Sequence, residues 1–250
     1  MRECAGKKMK GLIPAAGQGQ RLEPITLAIP KELLMVGDKA IIEYVINAMK
    51  QVGIKEITIV VGWRKHAILD YLGSGERLGV KLTYVVQDKR DGLAKAVYAG
   101  KNINGNEPFL VVLGDNFFYP KTFLKDILDF HEKNKADATI GVAEIEDPTR
   151  HGIIKPGEDN KILDLVEKPK ASDAPSNLGC IGIYIFNSKI FEAIEKTKPG
   201  VNNEYQLTDA IKNLVDDNKK VFYKKIKGRH IDIGTVEDLK KANNFFLNNH

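Results

Sequence analysis

Cysteine is almost missing from this chain: only Cys4 and Cys180 occur in 250 residues. One pair makes no disulfide framework, and two thiols cannot complete a structural zinc site. Both are therefore read as unpaired thiols. No apolar run approaches the roughly 18 residues of a membrane span, so no membrane partner is expected. The short polar tail Met1–Lys8 lacks the apolar centre of a secretory leader, which points to the cytoplasm. Dense basic runs with interleaved aromatics are absent too, and nucleic acid is not an expected partner. The five histidines, His66, His131, His151, His230 and His250, share no metal-ligand spacing and read as structural or exposed. No repeat, low-complexity segment or linker divides the chain. A single domain over 1–250 is expected, with 1–8 as a flexible tail and an inserted hairpin region near 150–200.

What is present is an alternation of periods. Met9–Ala15, Glu56–Val61, Lys81–Gln87 and Phe109–Leu113 are short apolar or β-branched runs, hence strands. Between and after them, helical spacing marks Ala40–Val52, the stretch around Ile68, Leu69 and Leu72, Gly92–Gly100 behind an Asp91 cap, and the face of Phe123, Leu124, Ile127, Leu128 and His131. Strands alternating with helices predict an α/β fold: a doubly wound, mostly parallel sheet covered on both faces. Ligands of such sheets gather at the carboxyl ends of the strands. Further on, Gly152–Lys155 and Lys161–Glu167 flank turn residues and predict a hairpin. Thr139–Ala143, Asn177–Phe186, Val221–Ile226 and His230–Ile233 are strand-like, and Tyr205–Val215 is helical. Thr235 and Asp238 form a capping-box signature before a last helix.

A net charge of +5 suits an anionic ligand such as a phosphate. The segment from Leu12 through Ala15, Ala16, Gly17, Gly19 and Arg21 to Lys31 gives that ligand a place. Glycines after a strand let successive N–H groups turn toward one anion, and Arg21 and Lys31 add positive charge. A plain glycine turn reads equally well from these residues. A dinucleotide fingerprint does not, because Leu22 stands where a third glycine belongs and Pro24 and Pro30 break the helix it needs. A P-loop lacks its Gly-Lys-Ser/Thr. Asp115, just past a buried strand, is placed either for ligands or for a turn. Asp232 in Ile231-Asp-Ile-Gly-Thr is otherwise a solvated carboxylate on a half-buried strand. Glu167-Lys168 would pass for a surface pair. Adjacent residues on a regular strand face opposite ways, so both serve one ligand only if the chain bends there, before Pro169.

Taken together, Gly-x-Gly-x-Arg-Leu, Pro-x-Thr and Pro-Lys-x-Leu-Leu resemble the signature of the sugar-1-phosphate nucleotidylyltransferases, from Lys10 to about Ala242. The match is nearest to glucose-1-phosphate thymidylyltransferases, with bacterial-type uridylyltransferases next. The resemblance implies joining dTTP or UTP to a sugar 1-phosphate, glucose 1-phosphate foremost, with release of pyrophosphate. It implies Mg2+ on Asp115 and Asp232, base recognition by Gln87 and Gly92, and nucleotide contacts from Ala15, Ala16, Gly17, Gly19 and Asp115. The region near 150–200 would bind the sugar: Gly152, Glu167 and Lys168 would meet the sugar phosphate. Arg21, Lys31 and Lys168 would neutralise the reacting phosphates. Gln20 departs from the family's threonine, which removes any hydroxyl contact there. Asp91–Ala94 and Leu113–Asn116 lean toward dTTP. A CTP-dependent alcohol-phosphate transferase and a non-catalytic nucleotide-sugar sensor are the rival expectations. A homo-oligomer is allowed, but trailing helices used by bacterial thymidylyltransferases for assembly and feedback inhibition are not expected.

Overall fold

The first strand, β1 (Lys10–Ala15), runs straight into the glycine loop. The structure is a computed structural model that describes residues 9–104, 107–119 and 122–249. The expected tail at 1–8 with Cys4, and His250, lie outside the described residues. After the loop come three single-turn helices at Gln20–Leu22, Ile25–Leu27 and Lys31–Leu33, because Pro24 and Pro30 prevent a longer one. A small hairpin of β2 (Met35–Val36) and β3 (Lys39–Ala40) leads into α1 (Ile41–Gln51). Next follow β4 (Glu56–Val61), α2 (Lys65–Leu72), β5 (Lys81–Val86), α3 (Leu93–Ala99) and α4 (Lys101–Asn104). The middle of the chain forms β6 (Phe109–Val112), β7 (Asn116–Tyr119), α5 (Phe123–Asn134) and β8 (Ala138–Glu144). The last part forms β9 (Gly152–Pro156), β10 (Ile162–Glu167), β11 (Leu178–Phe186), α6 (Lys189–Lys196), α7 (Leu207–Asp216), β12 (Val221–Lys225), β13 (Arg229–Asp232) and α8 (Val236–Leu247).

The main sheet runs in the order β10-β9-β11-β6-β1-β4-β5, with β8 added to β11 and β12 to β8. β5, β4, β1 and β6 are parallel, as the alternating pattern predicts. β11 then enters antiparallel to β6, β8 and β9, so the sheet is mixed. The β9–β10 hairpin does not stand apart as an insertion; its Ile153 pairs with Gly179 of β11 and extends the sheet. Consecutive strand residues supply opposite faces. Ile13, Ile59, Leu110 and Ile183 join α1, α2 and α5 on one side. Leu12, Val60, Val111 and Tyr184 join α3, α6 and α7 on the other. This is the doubly wound arrangement. α6 exceeds the sequence expectations although Ile190, Phe191 and Ile194 give it a clear buried stripe. No described helix is long and apolar enough to cross a membrane.

Two elements leave the main sheet. Among the described strands, β7 and β13 pair antiparallel with each other alone. A third core, with Leu22, Tyr44, Phe117, Ile233 and Ala242, fastens this ladder to α1 and α8. α8 begins at Thr235, whose hydroxyl oxygen accepts from the Asp238 amide at 3.2 Å and donates to the Asp238 carboxylate at 2.6 Å. Thr235→Ala removes both bonds. Loss of such a cap costs about 1 kcal/mol. Urea unfolding of the variant is expected to show a lower midpoint at unchanged slope; an unchanged midpoint would deny the cap its role.

Candidate active site

The carboxyl ends of the parallel strands converge on one cleft. β1 delivers the glycine loop, β5 delivers Gln87, and β6 delivers Asp115. Ala16, Gly17, Lys31, Gln87, Gly92 and Asp115 line a cavity of about 300 Å³. Gly19 takes φ +69°, and a Cβ there would lie 2.8 Å from Thr26 Cγ2, so only glycine fits. Its carbonyl accepts from Leu22 N–H and Thr26 Oγ1, which curls the loop toward Lys31. Gly17 needs no positive φ; it is open backbone beside the Lys31 stem. Gln20, in the position of the family threonine, donates to Gln18 on the exposed rim.

At the other end of this cavity, Gln87 Nε2 donates to Asp91 Oδ1 at 3.1 Å and to the Gly92 carbonyl at 3.2 Å. The α3 cap is therefore Gly92, not Asp91; the Asp91 carboxylate holds Gln87 instead of the helix. Gly92 has φ +116°, and a Cβ there would lie against the Tyr205 carbonyl oxygen, so any side chain would collide. Tyr205 N–H donates to the Asp91 carbonyl, and Ala94 N–H donates to the Tyr205 carbonyl.

A second cavity, of about 130 Å³, adjoins the first across Leu93 and Leu113. Gly152, Glu167, Thr208, His151, His230 and Asp232 line it. Glu167 and Gly152 are cross-strand partners in the β9–β10 hairpin. Thr208, at the start of α7, donates to Glu167 Oε2 at 2.6 Å. A Cβ at Gly152 would lie 2.5 Å from Thr208 Oγ1, so the glycine admits that contact. The bend required at Glu167-Lys168 exists. Lys168 adopts φ +44°, a left-handed conformation unusual for lysine, and its N–H donates to the His151 carbonyl. Lys168 Nζ consequently lies 3.5 Å from Glu167 Oε1, and the two neighbours act on one side. The wall opposite is loosened by a bulge in β11 at Gly182, φ +72°, where a Cβ would lie 2.8 Å from Asn116 Nδ2.

Asp115 and Asp232 meet where the two cavities join. Asp232 pairs with Asn116 across β7–β13, and Ile233 N–H donates to the Asp115 carbonyl at 3.1 Å. Lys31 forms an ion pair with Asp115. Burial alone would lower the Lys31 ammonium, but the Asp115 and Glu32 carboxylates outweigh it and raise its pKa. Burial first, and the Asp115 charge second, push the Asp232 carboxyl up to about 6, with Lys31 and Arg21 opposing. Arg21 is exposed and packs beside Gly234, where a Cβ would lie 2.7 Å from its Nη2.

Of the candidate site residues, Ala16, Gly17, Lys31, Gln87, Gly92, Asp115, Gly152, Glu167 and Asp232 line this double cleft, whereas Ala15, Gly19, Arg21 and Lys168 line neither cavity; several lining groups give no signal in the sequence. Glu32 is buried, its Oε2 has no hydrogen-bond partner among the described residues, and burial pushes it up to about 7. Thr208, His151 and His230 line the second cavity, although the two histidines read from the sequence only as structural or exposed. His131 is indeed structural: it is buried against Thr139 Oγ1 at 2.9 Å, and burial lowers it to about 4. Cys180 is a buried free thiol, pushed up to about 12 by burial.

No group of three or more His, Cys, Asp or Glu side chains among the described residues is arranged to hold a metal. The donor chemistry nevertheless suits Mg2+. Two carboxylates repel each other in a partly buried site, and the Glu32 oxygen nearby is unpaired among the described residues. A hard divalent cation bound by one or two carboxylates, with phosphate and water oxygens completing the octahedron, would relieve that charge.

The repulsion has a measurable sign. Asp232 is held at about 6 in the folded protein against an ordinary value of 3.8, so stability is lost as pH rises from about 3.8 to about 6 and the cost of ionising the carboxyl is present in full above that. In chelator, Asp232→Asn is expected to stabilise the protein at about pH 8 by up to about 3 kcal/mol, a rise of about two pKa units at about 1.4 kcal/mol each. The gain should vanish near pH 4, where the carboxyl is already largely protonated in the fold. Thermal unfolding at both pH values checks this; an equal gain at both would point to packing rather than charge.

Known proteins share the sequence pattern and the fold of this chain. A model of the nucleotidyl transferase family matches residues 10–249. The Haloferax volcanii low-salt glycan biosynthesis nucleotidyltransferase is 35% identical over 240 residues, covering 96% of this chain and 66% of its own length. A UTP–glucose-1-phosphate uridylyltransferase of Staphylococcus epidermidis is 35% identical over 256 residues, covering 91% of this chain and 88% of its own. A solved UDP-glucose pyrophosphorylase in complex with UDP-glucose superposes with a TM-score of 0.90 at 34% identity, over 98% of this chain and 100% of that one. A Bacillus anthracis structure assigned as a glucose-1-phosphate thymidylyltransferase gives 0.85 at 34% identity, over 95% and 94%. With the family match running from β1 through α8, this chain belongs to the nucleotidyl transferase family.

Proposed function

We propose that this enzyme transfers a uridylyl group from UTP to glucose 1-phosphate, forming UDP-glucose and pyrophosphate, with dTTP as a weaker donor. One observation carries the reading: a nucleotide-sized and a sugar-sized cavity share a wall, and each contributes one aspartate to the junction, Asp115 and Asp232. An attacking phosphate oxygen from one cavity can thus approach an α-phosphorus held in the other. The sugar phosphate is already ionised near neutrality, so no side-chain base is needed. Its oxygen forms the new bond to the α-phosphorus as the bond to the bridging oxygen of pyrophosphate breaks. The protein's task is alignment and charge neutralisation. Asp115 and Asp232 would hold Mg2+, which when bound supplies Lewis-acid charge to the phosphate oxygens. Arg21, Lys31 and the N–H groups of the glycine loop would hold the triphosphate. Lys168 would hold the sugar's phosphate, and Glu167 with the Gly152 backbone its hydroxyls.

The choice of base follows from Gln87. Asp91 Oδ1 and the Gly92 carbonyl are both acceptors, and they fix the Gln87 amide with its NH2 toward them. Gln87 then offers a ligand its Oε1 acceptor. Uracil and thymine answer with N3–H; cytosine presents an acceptor at N3. Flipping the amide would set its oxygen against two acceptors. The preference for UTP over dTTP replaces the lean drawn from Asp91–Ala94 and Leu113–Asn116. It rests on the uridylyltransferase among the relatives and on the UDP-glucose complex.

A matrix of nucleoside triphosphates against sugar 1-phosphates, read by pyrophosphate release, tests the proposal. UTP with glucose 1-phosphate should lead, and chelation of magnesium should abolish release. dTTP should fall within about a hundred-fold in kcat/KM, since one methyl is worth about 1–3 kcal/mol. CTP should lose roughly ten- to over a hundred-fold for the unpaired polar group it creates. No release anywhere in the matrix would leave a nucleotide-sugar sensor instead.

The two cations facing different substrates should separate kinetically. Arg21→Ala is expected to lower kcat with little change in KM for glucose 1-phosphate. Lys168→Ala is expected to raise that KM about tenfold or more, a charge-assisted bond being worth about 1.5–3 kcal/mol. Steady-state kinetics of both variants decide; indistinguishable defects would refute the division.

A further inference from the structure

The second cavity contains a polar atom that no described residue satisfies. His230 Nε2 is buried and has no hydrogen-bond partner among them. A buried group left unpaired costs about 1–3 kcal/mol, so a site that keeps one is built for something that binds there. His230 sits on β13 two residues before Asp232. Side chains two apart on a strand share a face, so His230 points into the cavity that Asp232 lines. The step along the strand is about 6.6 Å, so the imidazole enters the cavity beside Asp232 and not at its carboxylate. Glu167 and Thr208 line the same cavity, and Thr208 already occupies one Glu167 oxygen.

We infer that His230 is a specificity-determining residue whose Nε2 hydrogen-bonds one hydroxyl of the sugar, an inference that rests on the sugar-phosphate reading above. A hydroxyl both donates and accepts, so the contact forms with either imidazole tautomer. A methylene at the same place would leave the nitrogen unpaired. The residue therefore discriminates among hexose phosphates by the presence of that hydroxyl.

The experiment compares glucose 1-phosphate with its 2-, 3-, 4- and 6-deoxy analogues in the wild-type enzyme, His230→Ala and His230→Gln, all with UTP. In the wild type, one deoxy sugar should lose at least about tenfold in kcat/KM through the missing bond to His230. His230→Ala should lower kcat/KM for glucose 1-phosphate by a similar factor and leave KM for UTP within about twofold. The decisive reading is the coupling: in His230→Ala that one deoxy sugar should lose no more than glucose itself, while the other analogues keep their wild-type penalties. His230→Gln, which retains a polar tip, should restore part of the discrimination and serves if the alanine variant unfolds. Identical penalties for every analogue in wild type and variants would overturn the inference and leave the sugar-phosphate reading intact. A wild type that turns over no sugar phosphate at all would overturn both.

Discussion

The site depends on a four-residue ladder. Among the described strands β7 and β13 pair only with each other, yet their register sets Asp232 against Asn116 and so beside Asp115. Two carboxylates would not choose this proximity. The core around Phe117, Ile233 and Ala242 imposes it, with Tyr44 edge-on to Phe117 at 5.1 Å and Phe245 at 6.1 Å from the same ring. Apolar contact, which is non-directional, thus overrides electrostatics at one point and holds two carboxylates close together.

Lys31 fits the same logic. It reaches from the turn after Pro30 to the Asp115 carboxylate and stands as the internal counter-charge of the free protein. Glu32, next in sequence but turned inward, adds a second carboxylate beside that ammonium and steadies its charge.

Much of this was legible from residue order, because it is local. The β1–glycine–Arg21 run, the strand ending at Asp115 and the Thr235 cap each declare themselves within a few residues. The parallel half of the sheet follows from the alternation of periods. What cannot be read locally is what long-range register creates. Glu167 and Lys168 look incompatible on a regular strand, and only the left-handed Lys168 turns the chain to reconcile them. Thr208 joins Glu167 across 41 residues, and only the packing of α7 on the hairpin brings them together. Asp91 has the right chemistry for a helix cap, but Gly92 intervenes and Gln87 takes its carboxylate. β11 runs antiparallel because a tight hairpin precedes it, so no crossover helix reverses the chain.

The ladder also orders events in time. Chain synthesis has delivered all nine strands of the main sheet once β12 is out, since that sheet ends with Val221–Lys225. A nascent chain at that stage carries every strand of the main sheet and the glycine loop, but not Ile233 and Ala242 of the third core. It holds Asp115 but not yet Asp232. The second arrives on β13, and α8, which helps pin it there, comes later still. The juxtaposition of Asp232 with Asp115 is therefore the last feature of the cleft to be supplied, by β13 and by the α8 side chains that join its core.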